Sequence, residues 1–127
     1  MAEKKKILLV DDDKVFISMV KKFLENDYEI ITASSGNEAL SYYLKGQFPN
    51  LVLLDILMPV MDGWETYNRL KALSFLKDIP VAFLTSVDSD AHKDHALGIG
   101  AADFIAKPCE KNELLGRVKR ILEIYEG

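Results

Sequence analysis

Asp55 follows Leu51-Val52-Leu53-Leu54, four apolar residues without a break, and precedes Pro59 and Asp62-Gly63. An apolar run of this length reads as a strand buried on both faces, as in a parallel sheet. Pro59 stops the strand, and Asp62-Gly63 supplies turn chemistry and a helix start. A carboxylate at the tip of such a strand is costly unless something uses it. Taken alone, it reads more readily as a strand-ending Asp that caps the next helix. The rest of the chain shifts that balance. Ile7 to Val10 runs into Asp11-Asp12-Asp13, Val81 to Leu84 runs into Thr85, and Phe104 to Ala106 runs into Lys107.

Carboxylates gathered in one crevice repel: each like pair at ~4 Å costs roughly 4 kcal/mol at an effective dielectric of 20. A hard divalent cation with oxygen ligands removes that cost, and magnesium, which keeps several waters, suits so few carboxylates. Such a cation also prepares a site for a phosphoryl group by neutralising its oxygens. Lys107 is a point charge for one phosphoryl oxygen, and the Thr85 hydroxyl is a donor to another. A carboxylate beside a metal is itself a covalent acceptor of phosphoryl groups. The constellation points to phosphoaspartate chemistry.

That reading requires the side chains to meet, which is a matter of topology. Lys6–Val10 reads as a first strand, followed by a helix over about 14–25 with Phe16, Met19, Val20, Phe23 and Leu24 at helical spacing. Residues 28–33 form a β-branched and aromatic strand. Ser34-Ser35-Gly36 opens a second helix whose inner stripe is Ala39, Leu40, Tyr43 and Leu44, and Gly46 closes it. After Gly63 a third helix presents Trp64, Tyr67 and Leu70, a core stripe rather than an aromatic platform. Residues 81–84 form a fourth strand. The helix over 88–97 is poor in apolar residues and should be the most weakly docked, with His92 and His95 exposed. Residues 103–106 form a fifth strand. A last helix over about 110–125 buries Leu114, Val118, Ile121, Leu122 and Tyr125.

Strands alternating with helices make an α/β fold, a doubly wound five-stranded parallel sheet with five helices. Right-handed crossovers with helices on both faces favour strand order 2-1-3-4-5. Strands one and three are then neighbours. Asp11, Asp12 and Asp55 share the switch point at their carboxyl ends, with Thr85 and Lys107 on the same edge.

At 127 residues, 1–127 reads as a single domain with one cysteine, Cys109, which excludes an internal disulfide framework. No apolar run approaches a membrane span, and Ile7–Val10 is too short for a signal-peptide core, so a cytoplasmic location and no membrane partner are expected. The formal charge of −4 argues against direct nucleic-acid binding.

Ile7-Leu8-Leu9-Val10-Asp11-Asp12-Asp13, Asp55 to Gly63, Val81 to Ser86 and Gly100 to Pro108 together resemble the response-regulator receiver domain of two-component signalling, over essentially the whole chain. The resemblance implies a flavodoxin-like receiver fold with Asp55 as phosphoacceptor. It implies Asp12 as a direct ligand of Mg²⁺ or another divalent cation such as Mn²⁺, Asp11 acting through bound water, and the Leu57 backbone carbonyl as a further ligand. Thr85 is then the switch hydroxyl, Lys107 the phosphate-pairing lysine, and Phe104 the aromatic ring that turns inward when the hydroxyl moves. The Lys107-Pro108 bond is expected to be cis. The implied partners are a histidine kinase or histidine phosphotransfer protein and a downstream protein target, met by helix four, strand five and helix five. No enzymatic turnover is expected beyond the chain's own phosphorylation and dephosphorylation, and output is expected through protein contact.

Three rivals stand beside this. A haloacid-dehalogenase-type phosphatase with Asp11 as nucleophile fits Asp11-Asp12-Asp13-Lys14-Val15, but a late acidic pair and room for a cap domain are missing. A flavodoxin-like mononucleotide binder would need Ser, Thr and Gly in its first loop, where three aspartates repel phosphate. A non-phosphorylated docking module of the same fold gains nothing from an acid cluster.

Overall fold

The structure, a computed structural model, describes residues 3–74, 78–87 and 89–126. Asp88, with which the fourth helix was expected to begin, lies outside the described residues. Ten elements alternate: β1 (Lys6–Val10), α1 (Lys14–Leu24), β2 (Glu29–Ala33), α2 (Gly36–Leu44), β3 (Leu51–Leu54), α3 (Gly63–Leu73), β4 (Val81–Thr85), α4 (Asp90–Gly98), β5 (Asp103–Ala106) and α5 (Lys111–Glu126). The strands form one parallel sheet in the order β2-β1-β3-β4-β5, as expected.

Side chains of successive strand residues face opposite sides, and both sides are covered. Leu8, Val10, Val52, Leu54 and Phe83 pack with α2, α3 and Ala96 of α4. Ile7, Leu9, Leu51, Leu53 and Leu84 pack with α1 and α5. This is why β3 carries no polar residue: neither of its faces meets water. Helix starts are capped as their sequences direct, by Asp13 for α1, Ser35 for α2, Asp62 for α3 and Ser89 for α4. Cys109 is buried on the α1/α5 side, and burial, seconded by Glu113, pushes its thiol up.

Two expected core residues lie outside the core. Leu44 is 73% exposed; it ends α2, about 100° round the helix from buried Tyr43. Tyr125 is 40% exposed. A 16-residue α5 extends about 24 Å, whereas the four residues of β5 extend about 13 Å, so its last turn overruns the sheet. Within α4 only Ala96 is buried, in keeping with weak docking.

Candidate functional site

Strand register brings the acids together. Val10 stands opposite Leu54 across the β1–β3 pair, so the residues that follow, Asp11 and Asp55, leave the sheet side by side. Their backbones remain tied to it, Asp55 N–H donating to the Val10 carbonyl at 3.0 Å and Asp11 N–H to the Ala33 carbonyl at 3.0 Å. Asp11 and Asp55 are 1% and 5% exposed, while Asp12 is exposed to solvent. One carboxylate oxygen from each of the three lies within 4.8 Å of the others.

Lys107, carried by the loop after β5, reaches this cluster across the sheet edge. Its Nζ lies 2.7 Å from Asp11 Oδ2 and 3.5 Å from Asp55 Oδ2. The other Asp11 oxygen accepts the Asp13 N–H at 2.9 Å. Burial raises the Asp11 carboxyl above the ordinary range and the Asp55 charge adds to this, against the Lys107 and Asp13 hydrogen bonds. Asp55 Oδ1, by contrast, is buried without a hydrogen-bond partner among the described residues.

Thr85 is fully buried at the end of β4, and its Oγ1 accepts the Val87 N–H at 3.3 Å. Phe104 is 7% exposed, its ring inside the core beside Phe83. The Lys107-Pro108 peptide is cis, as expected.

The loop after Asp55 is held under strain. Val60 sits at φ 71°, a region that a β-branched residue rarely enters, while Met61 N–H closes a tight turn onto the Pro59 carbonyl at 2.8 Å. Gly63 N–H then bonds the Ile56 carbonyl at 2.8 Å. A Cβ on Gly63 would overlap the Asp55 carbonyl oxygen and the Ile56 Cα. Only glycine lets α3 start this close to the acid-bearing backbone. Leu57 lies in this loop, its side chain 58% exposed. With Met58, Asp62, Trp64, Val87 and His92 it lines an open cleft of about 460 Å³ formed on the loop that follows Asp55. His92 and His95 are exposed as expected, yet both rings lean on half-buried Trp64, at centroid distances of 6.3 and 4.7 Å.

Two participants were not singled out in the sequence. Asp13 was part of the acidic run, and its N-cap position was the signal that it serves α1 rather than a ligand. Phe16 was placed in a helix stripe, yet its ring centroid lies 4.1 Å from Lys107 Nζ. Nothing local foretells that contact.

The family described as response regulator receiver domain matches residues 7–119. The chain belongs to that family. This receiver is 39% identical over 117 residues to the transcriptional regulatory protein CrdR of Helicobacter pylori, covering 91% of this chain and 54% of that protein. It is 37% identical over 123 residues to the alkaline phosphatase synthesis transcriptional regulatory protein PhoP of Bacillus subtilis, covering 96% and 50%. The chain thus spans about half the length of the curated relatives it matches. Among solved structures, the chemotaxis protein CheY4 of Vibrio cholerae superposes with a TM-score of 0.80 at 32% identity, covering 94% of this chain and 99% of that one. A putative response regulator from Chloroflexus aurantiacus superposes with a TM-score of 0.87 at 34% identity, covering 95% and 99%.

The receiver reading therefore prevails over the phosphatase alternative. Asp11, the nucleophile that alternative needs, has both carboxylate oxygens engaged. Among the described residues no helix is long and apolar enough to cross a membrane.

Proposed function

We propose that this receiver accepts a phosphoryl group on Asp55 from a phosphohistidine, carried by a histidine kinase or a histidine phosphotransfer protein. The observation that carries this is Asp55 Oδ1: buried, without a hydrogen-bond partner among the described residues, and next to two further carboxylates and a lysine. A buried unpaired carboxylate oxygen costs about 1–3 kcal/mol or more, a poor arrangement for a structural residue and a suitable one for an acceptor. Ligand oxygens of an octahedral magnesium stand about 3–4 Å apart, so the Asp11, Asp12 and Asp55 oxygens fit a divalent cation after small rotamer changes. Asp12 would hold it directly, Asp11 through water, and the Leu57 carbonyl would complete the protein ligands; Mg²⁺ or Mn²⁺ suits the all-oxygen set. When bound, the cation neutralises phosphoryl oxygens.

The remaining work falls to this chain's side chains. The Asp55 oxygen forms an O–P bond as the N–P bond of the donor breaks; the electron pair stays on the imidazole nitrogen, which regains a proton. Lys107 turns from the carboxylates to a phosphoryl oxygen. The Thr85 hydroxyl moves to another, drawing on the Val87 backbone it now accepts from. Phe104, whose ring is buried beside Phe83, is the aromatic side chain that would follow this shift. The change is then read on the face of α4, β5 and α5, where α4 is the least anchored element. A downstream protein binding there, and a cytoplasmic location, complete the proposal.

The test is incubation with acetyl phosphate and magnesium, followed by intact mass. Wild type should gain one phosphoryl group, and Asp55→Asn, or wild type in excess chelator, should gain none. An undiminished shift in either arm would falsify the assignment.

A further inference from the structure

Three groups surround the Lys107 ammonium: the Asp11 carboxylate at 2.7 Å, the Asp55 carboxylate at 3.5 Å and the Phe16 ring, its centroid at 4.1 Å. The lysine side chain is 14% exposed, so little water shares the work. The reaction proposed above changes both carboxylates. Asp55 loses its charge-bearing oxygen to the phosphoryl group, and Asp11 is drawn toward the metal. The ring is the one neighbour of the three that the chemistry leaves unaltered. A π-face within about 6 Å of an ammonium attracts it through the ring quadrupole, more strongly where water is excluded.

The backbone that carries the ring is also tied to the acids. Asp13 N–H donates to Asp11 Oδ1 at 2.9 Å, and Asp13 Oδ1 in turn accepts the Phe16 N–H at 3.2 Å. Asp11, Asp13, Phe16 and Lys107 therefore form a closed circuit: carboxylate to backbone, cap to backbone, ring to ammonium, ammonium to carboxylate. Phe16 is itself 9% exposed, packed in the α1/α5 core, which limits the ring's freedom to follow a departing lysine.

We propose that Phe16 is a positioning residue for Lys107: its ring face keeps the ammonium in the crevice while the lysine exchanges carboxylate partners for a phosphoryl oxygen. This rests on the reading of Asp55 as acceptor. It goes beyond that reading in giving α1 a part in the chemistry that its acids do not account for. The competing view is that Phe16 only fills the core. An apolar residue of similar size would then serve equally well.

Graded fluorination separates the two, because it drains the ring quadrupole with little change of shape. Phe16 is replaced site-specifically by 4-fluoro-, 3,5-difluoro- and 3,4,5-trifluorophenylalanine, with Phe16→Leu as the ring-free variant and Phe16→Tyr as the conservative rescue. Phosphorylation by acetyl phosphate is followed by intact mass at saturating magnesium, and the magnesium-induced rise in Tm is recorded for each. The rate should fall stepwise with each fluorine, reaching about fivefold in the trifluoro protein and in Phe16→Leu, and recover in Phe16→Tyr. The magnesium-induced rise in Tm should stay the same throughout the series. In NMR spectra, the Lys107 ε-methylene protons should keep their upfield ring shift after phosphorylation. A labelled wild type with a flat rate across the series, or loss of that ring shift on phosphorylation, overturns this proposal alone. A wild type that takes no label overturns the reading of the site and this proposal together.

Discussion

The body of the sheet and its carboxyl edge are made by the same strands and act on the fold in opposite directions. Along β3, Leu51 to Leu54 are all at 0% exposure, each burial contributing about 1.5–3 kcal/mol. One position further, Asp55 is buried too, with an oxygen that finds no partner among the described residues, and Asp11 holds the same place after β1. Side chains of Leu53 and Asp55 leave the strand on the same side, two residues apart. One stabilises the domain and the other strains it. The difference shows what the interior is for: Asp55 N–H is fixed to the Val10 carbonyl, so the costly carboxylate cannot relax by moving its backbone. A rigid interior allows a repulsive edge to persist, an edge that the proposed cation and phosphoryl group would relieve.

The largest expected effect tests the interior half of that contrast. Leu53→Ala should lower stability by about 3–4 kcal/mol, because the close-packed β3 can collapse only partly around the cavity. Urea unfolding should show a lower midpoint with an unchanged m-value. A loss below about 1 kcal/mol would mean that the strand interior does not over-determine the edge as argued.

The next effect, opposite in sign, lies on the edge. Asp12→Ala should melt higher than wild type in the absence of magnesium, since one charge leaves a cluster whose oxygens lie within 4.8 Å. The same variant should lose most of the magnesium response, which in wild type amounts to about 2.7 kcal/mol at a hundredfold excess over Kd. Asp12 is the acid to remove because it is exposed and, among the described residues, no side-chain hydrogen bond or ion pair depends on it. Removing Asp11 would take from the Lys107 ammonium its nearest acceptor and from the Asp13 N–H the carboxylate it donates to. Thermal melts of both proteins, with and without magnesium, decide this; a lower-melting variant that still responds fully to the metal refutes the ligand assignment.

This same contrast explains what could be read in advance. Strand bodies were legible because a residue buried on both faces must be apolar whatever its neighbours are, so β1, β3, β4 and β5 stand out in the sequence within a residue of their observed bounds. The acids, Thr85 and Lys107 were legible because each breaks such a run. What was not legible depends on neighbours distant in sequence. Lys107 meets Asp11 across 96 positions, and no local pattern announces that this pair, rather than Asp55, takes the shortest contact. The Phe16 ring beneath the ammonium is hidden in an ordinary helix stripe. Tyr125 follows helical periodicity faithfully and still faces solvent, because periodicity says nothing about where a helix passes the end of its sheet, while Leu44 ends α2 about 100° round the helix from buried Tyr43. Nor does composition reveal that Val60 is held at φ 71° by the turn from Pro59 to Met61.

The smallest effect concerns how long the relieved state lasts. Hydrolysis of an acyl phosphate on Asp55 needs a water in line with the breaking bond. By family resemblance, the side chains two positions after Asp55 and two after Thr85 flank that approach: Leu57 and Val87. Both line the same open cleft of about 460 Å³, Leu57 at its rim and Val87 half-buried against the core. Neither can hold a water by hydrogen bonding. His92 shares the cleft, but its Nδ1 is engaged with the Ser89 hydroxyl and its ring faces Trp64. Asp62 also lines the cleft, with one oxygen accepting the Glu65 N–H as the cap of α3. With apolar side chains at both flanking positions, no side chain there orients an attacking water, so the phosphoryl group should be long-lived. The variant Leu57→Asn with Val87→Glu should shorten its lifetime by about tenfold, which needs only ~1.4 kcal/mol off the barrier. Decay is measured after the phosphodonor is removed, at fixed magnesium, in wild type and in the double variant. Equal or slower decay in the variant would show that the cleft walls do not govern access of water. The poise of the edge would then rest on the acids and Lys107 alone.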